Sequence, residues 1–141
     1  MDAKDYLTQI RKISMQINEK SEEIAKLKVQ IEGGSISYEK DGTTSGHTDT
    51  ERNAHMIMRL TELKDEINHQ VDMLILAKQR AMALIDMVPD ANQMTVLYER
   101  YIHLRSWEKI SEKLNYSLHY IYRIHNLALD EFNRILKEDT K

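Results

Sequence analysis

Histidines and carboxylates are the side chains of this chain best suited to catalysis or metal binding. The 141 residues include six histidines, but none of them has metal-ligand spacing such as His-Glu-x-x-His. No Gly-x-Ser-x-Gly motif surrounds a serine, and the absence of cysteine excludes thiol nucleophiles, thiolate zinc sites and disulfides. The sequence therefore predicts a protein that is not an enzyme and that uses no metal or cofactor.

Near the carboxyl end lies a second group of polar side chains, whose chemical types are those that bind nucleic acids. Guanidinium groups fit guanine edges or phosphates, amides fit adenine edges, and hydroxyl and ammonium groups contact phosphates. The group consists of Arg105, Lys109, Ser117, His119, Tyr120, Tyr122, Arg123 and Asn126. These side chains act together only if the local structure presents them on one surface.

The surrounding sequence predicts two short helices joined by a turn. Ser106 is suited to cap a helix from Trp107 to about Leu114, and Ser117 a helix to about Lys137. Between them, Asn115 tolerates the left-handed conformation of a turn. The predicted core face consists of Trp107, Ile110, Leu114, Ile121, Ile124 or His125, and Ala128. This is the layout of a helix-turn-helix motif, although an ordinary three-helix bundle has the same periodicity.

Residues 97–129 resemble region four of bacterial sigma factors, the module that reads the −35 promoter element. The likeness rests on Leu97 to Tyr101, Ile110 to Leu114, Ser117, Ile121 and Ala128-Leu129, with Ser111 and Asn115 replacing the usual Ala and Gly. Trp107, Tyr116-Ser117 and Tyr122 to His125 make the chain similar, over nearly its whole length, to ArpU-type and RinA-type late regulators of Gram-positive prophages.

This resemblance implies a phage or prophage transcriptional regulator of late genes, in the cytoplasm of the bacterial host cell. Its partners would be double-stranded DNA and host RNA polymerase, and the residue group defined above would bind the DNA. Arg123 would bridge a guanine edge or clamp a phosphate, Asn126 would pair with adenine, and Arg105 and Lys109 would clamp the backbone.

An alternative is a non-catalytic interaction module that binds RNA polymerase or another phage protein without sequence-specific DNA contact. Leu118, apolar at an expected exposed position, fits either a thymine methyl or a protein partner. The local charge modestly favours DNA as the partner. The whole chain has a net charge of −3, but residues 99–137 carry seven basic and five acidic groups, a local +2.

Two heptad-spaced apolar runs precede this region and predict a long antiparallel helical hairpin, a coiled coil. The first run consists of Ala3, Tyr6, Ile10, Ile13, Ile17, Ile24, Leu27 and Ile31, and the second of Met56, Leu60, Leu63, Ile67, Leu74, Ala77, Ala81, Leu84 and Val88. A glycine- and serine-rich flexible loop, 33–50, is predicted between them. The expected fold is therefore all-α, with a hairpin at 1–88 and a helix-turn-helix domain at 89–141.

One polar residue interrupts each run, Lys20 in the first and Gln70 in the second. Either the two set the register of the hairpin, or Lys20 extends past the seam to water, and we prefer the second interpretation. The second helix is also more apolar than one partner requires, since residues 71–88 are apolar on most sides. The excess face is expected to contact the C-terminal domain, a second copy of the chain, or both, and a homo-oligomer assembled through the helical hairpin is the preferred hypothesis. No apolar run approaches the length of a membrane span.

Overall fold

Few glycines and prolines interrupt this chain, and its structure is accordingly built from helices. The computed structural model describes the backbone of residues 1–41 and 46–139, and the side chains of residues 1–32 and 50–139. Five α-helices and one π-helical segment account for the regular structure there: α1 (Ala3–Asp41), α2 (Gly46–Ile85), α3 (Ala91–Leu97), the π segment (Tyr98–Ile102), α4 (Trp107–Leu114) and α5 (Leu118–Asp139). The all-α prediction is confirmed.

The two long helices extend beyond their predicted ends. A loop was predicted at 33–50, but α1 continues to Asp41 and α2 begins at Gly46. Glycine costs a helix about 1 kcal/mol relative to alanine but keeps the backbone hydrogen bond, so two glycines weaken a helix without having to end it. The predicted loop 33–50 is thus helical at 33–41 and 46–50, and its remainder, 42–45, lies outside the described residues.

A π-helical segment, Tyr98–Ile102, follows α3 directly. The His103 amide donates to the Tyr98 carbonyl at 2.9 Å, and the Arg105 amide donates to the Glu99 carbonyl at 2.9 Å. Leu104, in the break that follows, has a φ of 57°. A π turn widens the helix and redirects the side chains after it, and such turns are frequent at functional sites.

The chain divides into two compact units, and the division does not follow the predicted boundary between 88 and 89. The first unit comprises Met1–Ser14 and Met73–Lys141, and the second comprises Met15–Asp72. The reason is apolar burial near the ends of the long helices. Leu7 and Ile10 of α1 and Ile85 of α2 share one core with Phe132 and Ile135 of α5.

Within the first unit, the beginning of α1 is fixed to α5. The Tyr6 and Phe132 rings lie 5.7 Å apart, and the Ala3 amide donates to Asn133 Oδ1 at 2.6 Å. Leu7, which is not on the predicted seam, is fully buried. A single-seam heptad pattern omits Leu7 because it allows for one packing partner, whereas α1 here contacts more than one element.

Within the second unit, polar side chains link the two helical segments. Lys20 Nζ donates to Gln70 Oε1 at 3.1 Å, and Gln70 Nε2 donates to Gln16 Oε1 at 2.9 Å. Arg59 and Glu23 form an ion pair at 3.4 Å. Residue numbers fall along one segment as they rise along the other, so the segments run antiparallel. The preferred interpretation of Lys20 was wrong, because Lys20 binds the polar residue of the opposite run.

We expect a double-mutant cycle between Lys20→Met and Gln70→Leu to give a coupling free energy of about 0.5–1 kcal/mol. The hydrogen bond joins two partly exposed groups, so solvent weakens it. Urea unfolding of the wild type, both single variants and the double variant measures the coupling. Additive effects of the two substitutions would show that this contact does not stabilise the pairing.

None of the described helices contains an apolar stretch of the length that a membrane crossing requires.

Candidate nucleic-acid interface

Helices α4 and α5 are joined by a turn whose geometry is fixed by local hydrogen bonds. Ser106 Oγ accepts from the Lys109 amide at 3.2 Å, and Ser117 Oγ accepts from the Tyr120 amide at 3.2 Å. Asn115 has φ 59° and ψ 44°, the left-handed conformation, and its amide donates to the Ser111 carbonyl. Both predicted serine caps and the predicted asparagine turn are therefore present.

A small apolar cluster holds the two helices together behind the turn. Ile110 of α4 and Ile121 of α5 are fully buried with Val96 of α3, and Trp107 and Leu114 pack at the edge of the cluster. Ala128 is buried too, but it belongs to the larger core around Phe132. The predicted core face is correct, although it contributes to two clusters.

The opposite face of α5 is exposed. Ser117, His119, Tyr120, Tyr122, Arg123 and Asn126 are all exposed, as are Arg105 and Lys109 before and on α4. Positions 119, 123 and 126 follow helical spacing, so they lie on one face over about 10 Å of helix length, and the major groove, about 12 Å wide, admits an α-helix. Arg123 and Asn126 make no ion pair or side-chain hydrogen bond with any described residue, which leaves their donors available.

Three other predicted residues already have partners within the first unit. Arg105 Nε lies 2.5 Å from Glu99 Oε2, Ser117 caps α5, and the Tyr122 ring contacts the Trp107 ring edge-on at 5.3 Å. Arg105 has 43% of its side chain exposed. Its guanidinium therefore faces solvent while the carboxylate limits its movement.

A buried carboxylate that the sequence did not reveal joins the π segment to α4. Glu99 is 5% exposed, and its oxygens contact Arg105 at 2.5 Å and Lys113 Nζ at 2.6 Å. Burial acts to raise the pKa of Glu99, but the Lys113 hydrogen bond and the charges of Lys113 and Arg105 outweigh it, so this pKa lies below its ordinary value. Glu99 stands between Tyr98 and Arg100, and this local sequence does not indicate that the carboxylate is buried.

We expect Glu99→Gln to lower the free energy of unfolding by about 1–2 kcal/mol at pH 7, because both cations lose their counter-charge but remain half-hydrated. Since the pKa of Glu99 is lowered on folding, its contribution is present above the ordinary carboxyl pKa and is lost as the pH falls through the lowered value. Urea unfolding measures the loss. The matched control is Glu112→Gln, an exposed residue of α4, and an equal effect of both substitutions would contradict this account.

A histidine is buried directly beneath the exposed face of α5. His125 Nε2 lies 2.6 Å from the Tyr101 hydroxyl, and the His125 ring meets the Trp107 ring edge-on at 4.6 Å. Arg100 lies over the Trp107 ring at 4.4 Å. Burial has the largest effect on His125, and together with the positive charges of Arg100 and Lys4 it lowers the pKa of His125 to about 4. The sequence left open whether Ile124 or His125 faces the core, and both do.

Apolar and aromatic side chains flank the exposed polar row. The Tyr116 and Tyr120 rings lie 4.8 Å apart, and Leu118 is 38% exposed, as the sequence led us to expect. Tyr116 was not among the predicted site residues, because its outward position depends on the left-handed turn at Asn115.

Taken together, the exposed groups of α5 are hydrogen-bond donors and acceptors on a helix whose opposite side is buried. Such a helix can enter a groove and bind base edges without rearrangement of its backbone. Among the described residues, no group of three or more histidines and carboxylates is placed to hold a metal ion. No protein-family model, curated protein or solved structure matches this chain.

Proposed function

We propose that this protein is a phage or prophage transcriptional regulator that binds promoter DNA through α4 and α5. The observation that carries the proposal is the exposed row of His119, Arg123 and Asn126 on α5, with Ile121 buried behind it. In helix-turn-helix proteins the amino-terminal half of the second helix enters the major groove. The likeness of residues 97–129 to sigma region four supports this assignment and suggests late genes as the regulated set.

The proposed roles follow from the geometry of each side chain. Arg123 and Asn126 have free donors and bind base edges, guanine and adenine respectively. Ser117, His119, Tyr120 and Tyr122 contact phosphates or thymine methyls beside them. Arg105 and Lys109 contact the DNA backbone, with Arg105 restrained by Glu99.

The modest charge of this region has a consequence for binding. Residues 99–137 carry a net charge of only +2, so one copy is expected to bind weakly and with strong salt dependence. We propose that the regulator is a homo-oligomer assembled through its long helices, because two copies on spaced half-sites gain affinity without new contacts. Host RNA polymerase is the second partner that the sigma likeness suggests.

A second candidate function is an interaction module that binds RNA polymerase or another phage protein without sequence-specific DNA contact. The exposure of Leu118 and Leu127, 38% and 55%, favours it, because apolar groups on a recognition surface also suit a protein partner. Both functions use the exposed surface of α5, and they differ in whether Arg123 binds a base.

Arg123→Ala tests the proposed function. We expect it to weaken binding to selected duplexes about 10- to 100-fold and to relax sequence preference at one position, because a bidentate base contact contributes about 1–3 kcal/mol. Fluorescence anisotropy at two salt concentrations measures affinity and salt dependence. The matched control is Arg134→Ala on the same helix, since Arg134 is occupied by Glu131 and Glu138.

If the protein is an interaction module instead, the same binding experiment is expected to have a different outcome. DNA affinity would then be low and independent of sequence, and Arg123→Ala and Arg134→Ala would have equal effects. Specific binding lost in Arg123→Ala and retained in Arg134→Ala would exclude it.

A further inference from the structure

Two exposed cations at the beginning of α1 lie on one side of that helix. Lys4 and Arg11 are seven residues apart, which is about two turns of an α-helix, so their side chains project in nearly the same direction. Leu7, which comes between them in the sequence, is fully buried in the same core as Tyr101 of the π segment. Folding therefore places Lys4 and Arg11 at the rim of this core, although they lie far from the C-terminal helices in the sequence.

The two cations lie close to charged and titratable groups of the C-terminal helices. Burial, and next the charge of Arg11, lower the pKa of Arg100. Burial and the charge of Arg100, followed by the charge of Lys4, lower the pKa of His125. Electrostatic effects of this kind decrease with distance, so Lys4, Arg11 and Arg100 belong to one cluster of positive charges. We call these three residues the basic flank.

Arg100 connects the basic flank to the exposed face of α5. Its guanidinium lies over the Trp107 ring at 4.4 Å, and the Tyr122 ring meets the same Trp107 ring edge-on at 5.3 Å. Tyr122 is one of the exposed α5 residues proposed to contact DNA. The basic flank is therefore continuous, through Trp107, with the proposed DNA-binding surface.

The positive charges of the basic flank are not neutralised within the described part of the chain. Lys4, Arg11 and Arg100 form no ion pair with any described carboxylate. The charge of Glu108 acts on Arg100, but the two side chains do not form an ion pair, and Asp5 projects from α1 about 100° away from Lys4. Like charges that lie close together repel, so the basic flank is suited to an anion from outside the chain.

We propose that the basic flank binds the phosphate backbone of DNA beside the groove that α5 enters, with Lys4 and Arg11 as the direct phosphate contacts. This inference rests on the proposed function and extends its DNA-binding surface to residues from the other end of the chain. Continuity with the exposed face of α5 favours the DNA backbone over other polyanions. Contacts of lysine and arginine with phosphates position a protein on the duplex without reading its sequence.

The basic flank also bears on the modest charge of the C-terminal region. The net charge of +2 over residues 99–137 includes Arg100 but omits Lys4 and Arg11, because a count along the sequence does not see what folding brings together. The surface that would face DNA is therefore more basic than this count indicates.

Alanine substitutions in the basic flank test the proposal. We expect Lys4→Ala and Arg11→Ala each to weaken binding at low salt about three- to tenfold, and to do so equally for a selected duplex and for a duplex of random sequence. Each lost phosphate contact is also expected to reduce the slope of log affinity against log salt by about 1. Fluorescence anisotropy over a series of salt concentrations measures both quantities.

The matched control is Lys12→Ala, which removes the same charge from the same end of α1. Lys12 is exposed but projects about 100° away from Arg11 around the helix, so it does not belong to the basic flank. We expect Lys12→Ala to leave the affinity and the salt slope close to those of the wild type. Neither Lys4→Ala nor Arg11→Ala is expected to lower the urea midpoint, because neither residue has an ion pair to lose.

The outcomes separate the basic flank from the proposed function. Equal effects of Arg11→Ala and Lys12→Ala, or an unchanged salt slope when Lys4→Ala and Arg11→Ala are combined, would overturn the basic flank while specific binding through α5 stands. A loss of affinity for the selected duplex alone would also overturn it, because a phosphate contact does not distinguish sequences. A wild-type chain that binds no duplex at low salt would overturn the proposed function itself.

Discussion

Phe132→Ala is expected to lower the free energy of unfolding by about 3–5 kcal/mol, the largest effect of any single substitution considered for this protein. Phe132 is fully buried, packs against the Tyr6 ring at 5.7 Å and lies in the core with Leu7 and Ile85. Truncation to alanine removes these contacts and leaves a cavity that a close-packed interior fills only in part. Because domains of this size are stable by about 5–15 kcal/mol, the variant should be marginally folded.

Urea unfolding followed by circular dichroism measures this loss. The matched control is Leu127→Ala, an apolar residue of the same helix that is 55% exposed, which is expected to change stability by less than about 0.5 kcal/mol. Hydrogen exchange adds a test of location. The amides of α1 next to Leu7 and Ile10 are expected to lose protection in Phe132→Ala, because they belong to the same unit as α5. Unchanged protection there would contradict the assignment of residues 3–10 to this core.

Acidification is expected to destabilise the protein through His125. Its pKa falls from an ordinary 6.5 to about 4 on folding, because burial and the nearby Arg100 and Lys4 disfavour the protonated ring. As the pH falls below 6.5, the unfolded chain binds a proton that the folded chain excludes, so stability decreases between pH 6.5 and about 4. The full loss of folding stability that arises from His125 is about 3 kcal/mol, since one pKa unit corresponds to about 1.4 kcal/mol.

The measurement is urea unfolding at intervals from pH 7.5 to 4.0, with wild type and His125→Phe compared at each pH. Phenylalanine keeps a planar ring beside Trp107 but has no proton to gain, so His125→Phe should lose less stability than the wild type between pH 6.5 and about 4. His119→Asn, which changes an exposed histidine of the same helix, is the matched control. A His125→Phe variant that loses stability in acid as steeply as the wild type would contradict the assignment.

The parts of the fold that the sequence predicted well depend on residues close together in the chain. Ser106, Asn115 and Ser117 act on backbone groups within a few residues, so their side-chain chemistry alone defined the ends of α4 and α5. The buried positions of Ile110 and Ile121 followed from helical periodicity in the same way. The remaining positions of α5, which are not on its buried face, were then predicted to be exposed.

The features that the sequence did not predict depend on distant packing. Gly33-Gly34 has the composition of a helix end, but the cost of two glycines is small beside the interactions along two long helices. Glu99 lies in the π segment, and its ion pairs with Arg105 and Lys113 depend on where this segment and α4 are placed in the folded chain. The division into units depended on Leu7 reaching the core around Phe132, a contact between opposite ends of the chain.

Selection from random duplex DNA by the 141-residue chain tests most directly our proposal that α5 reads DNA sequence. We expect enrichment of a short sequence motif at low salt, with affinity that falls steeply as salt increases. We also expect that Arg123→Ala no longer enriches one base position of that motif, while Arg134→Ala enriches the same motif as wild type. A pool that stays random after repeated rounds at low salt, with wild-type protein that is folded by circular dichroism, would contradict the claim.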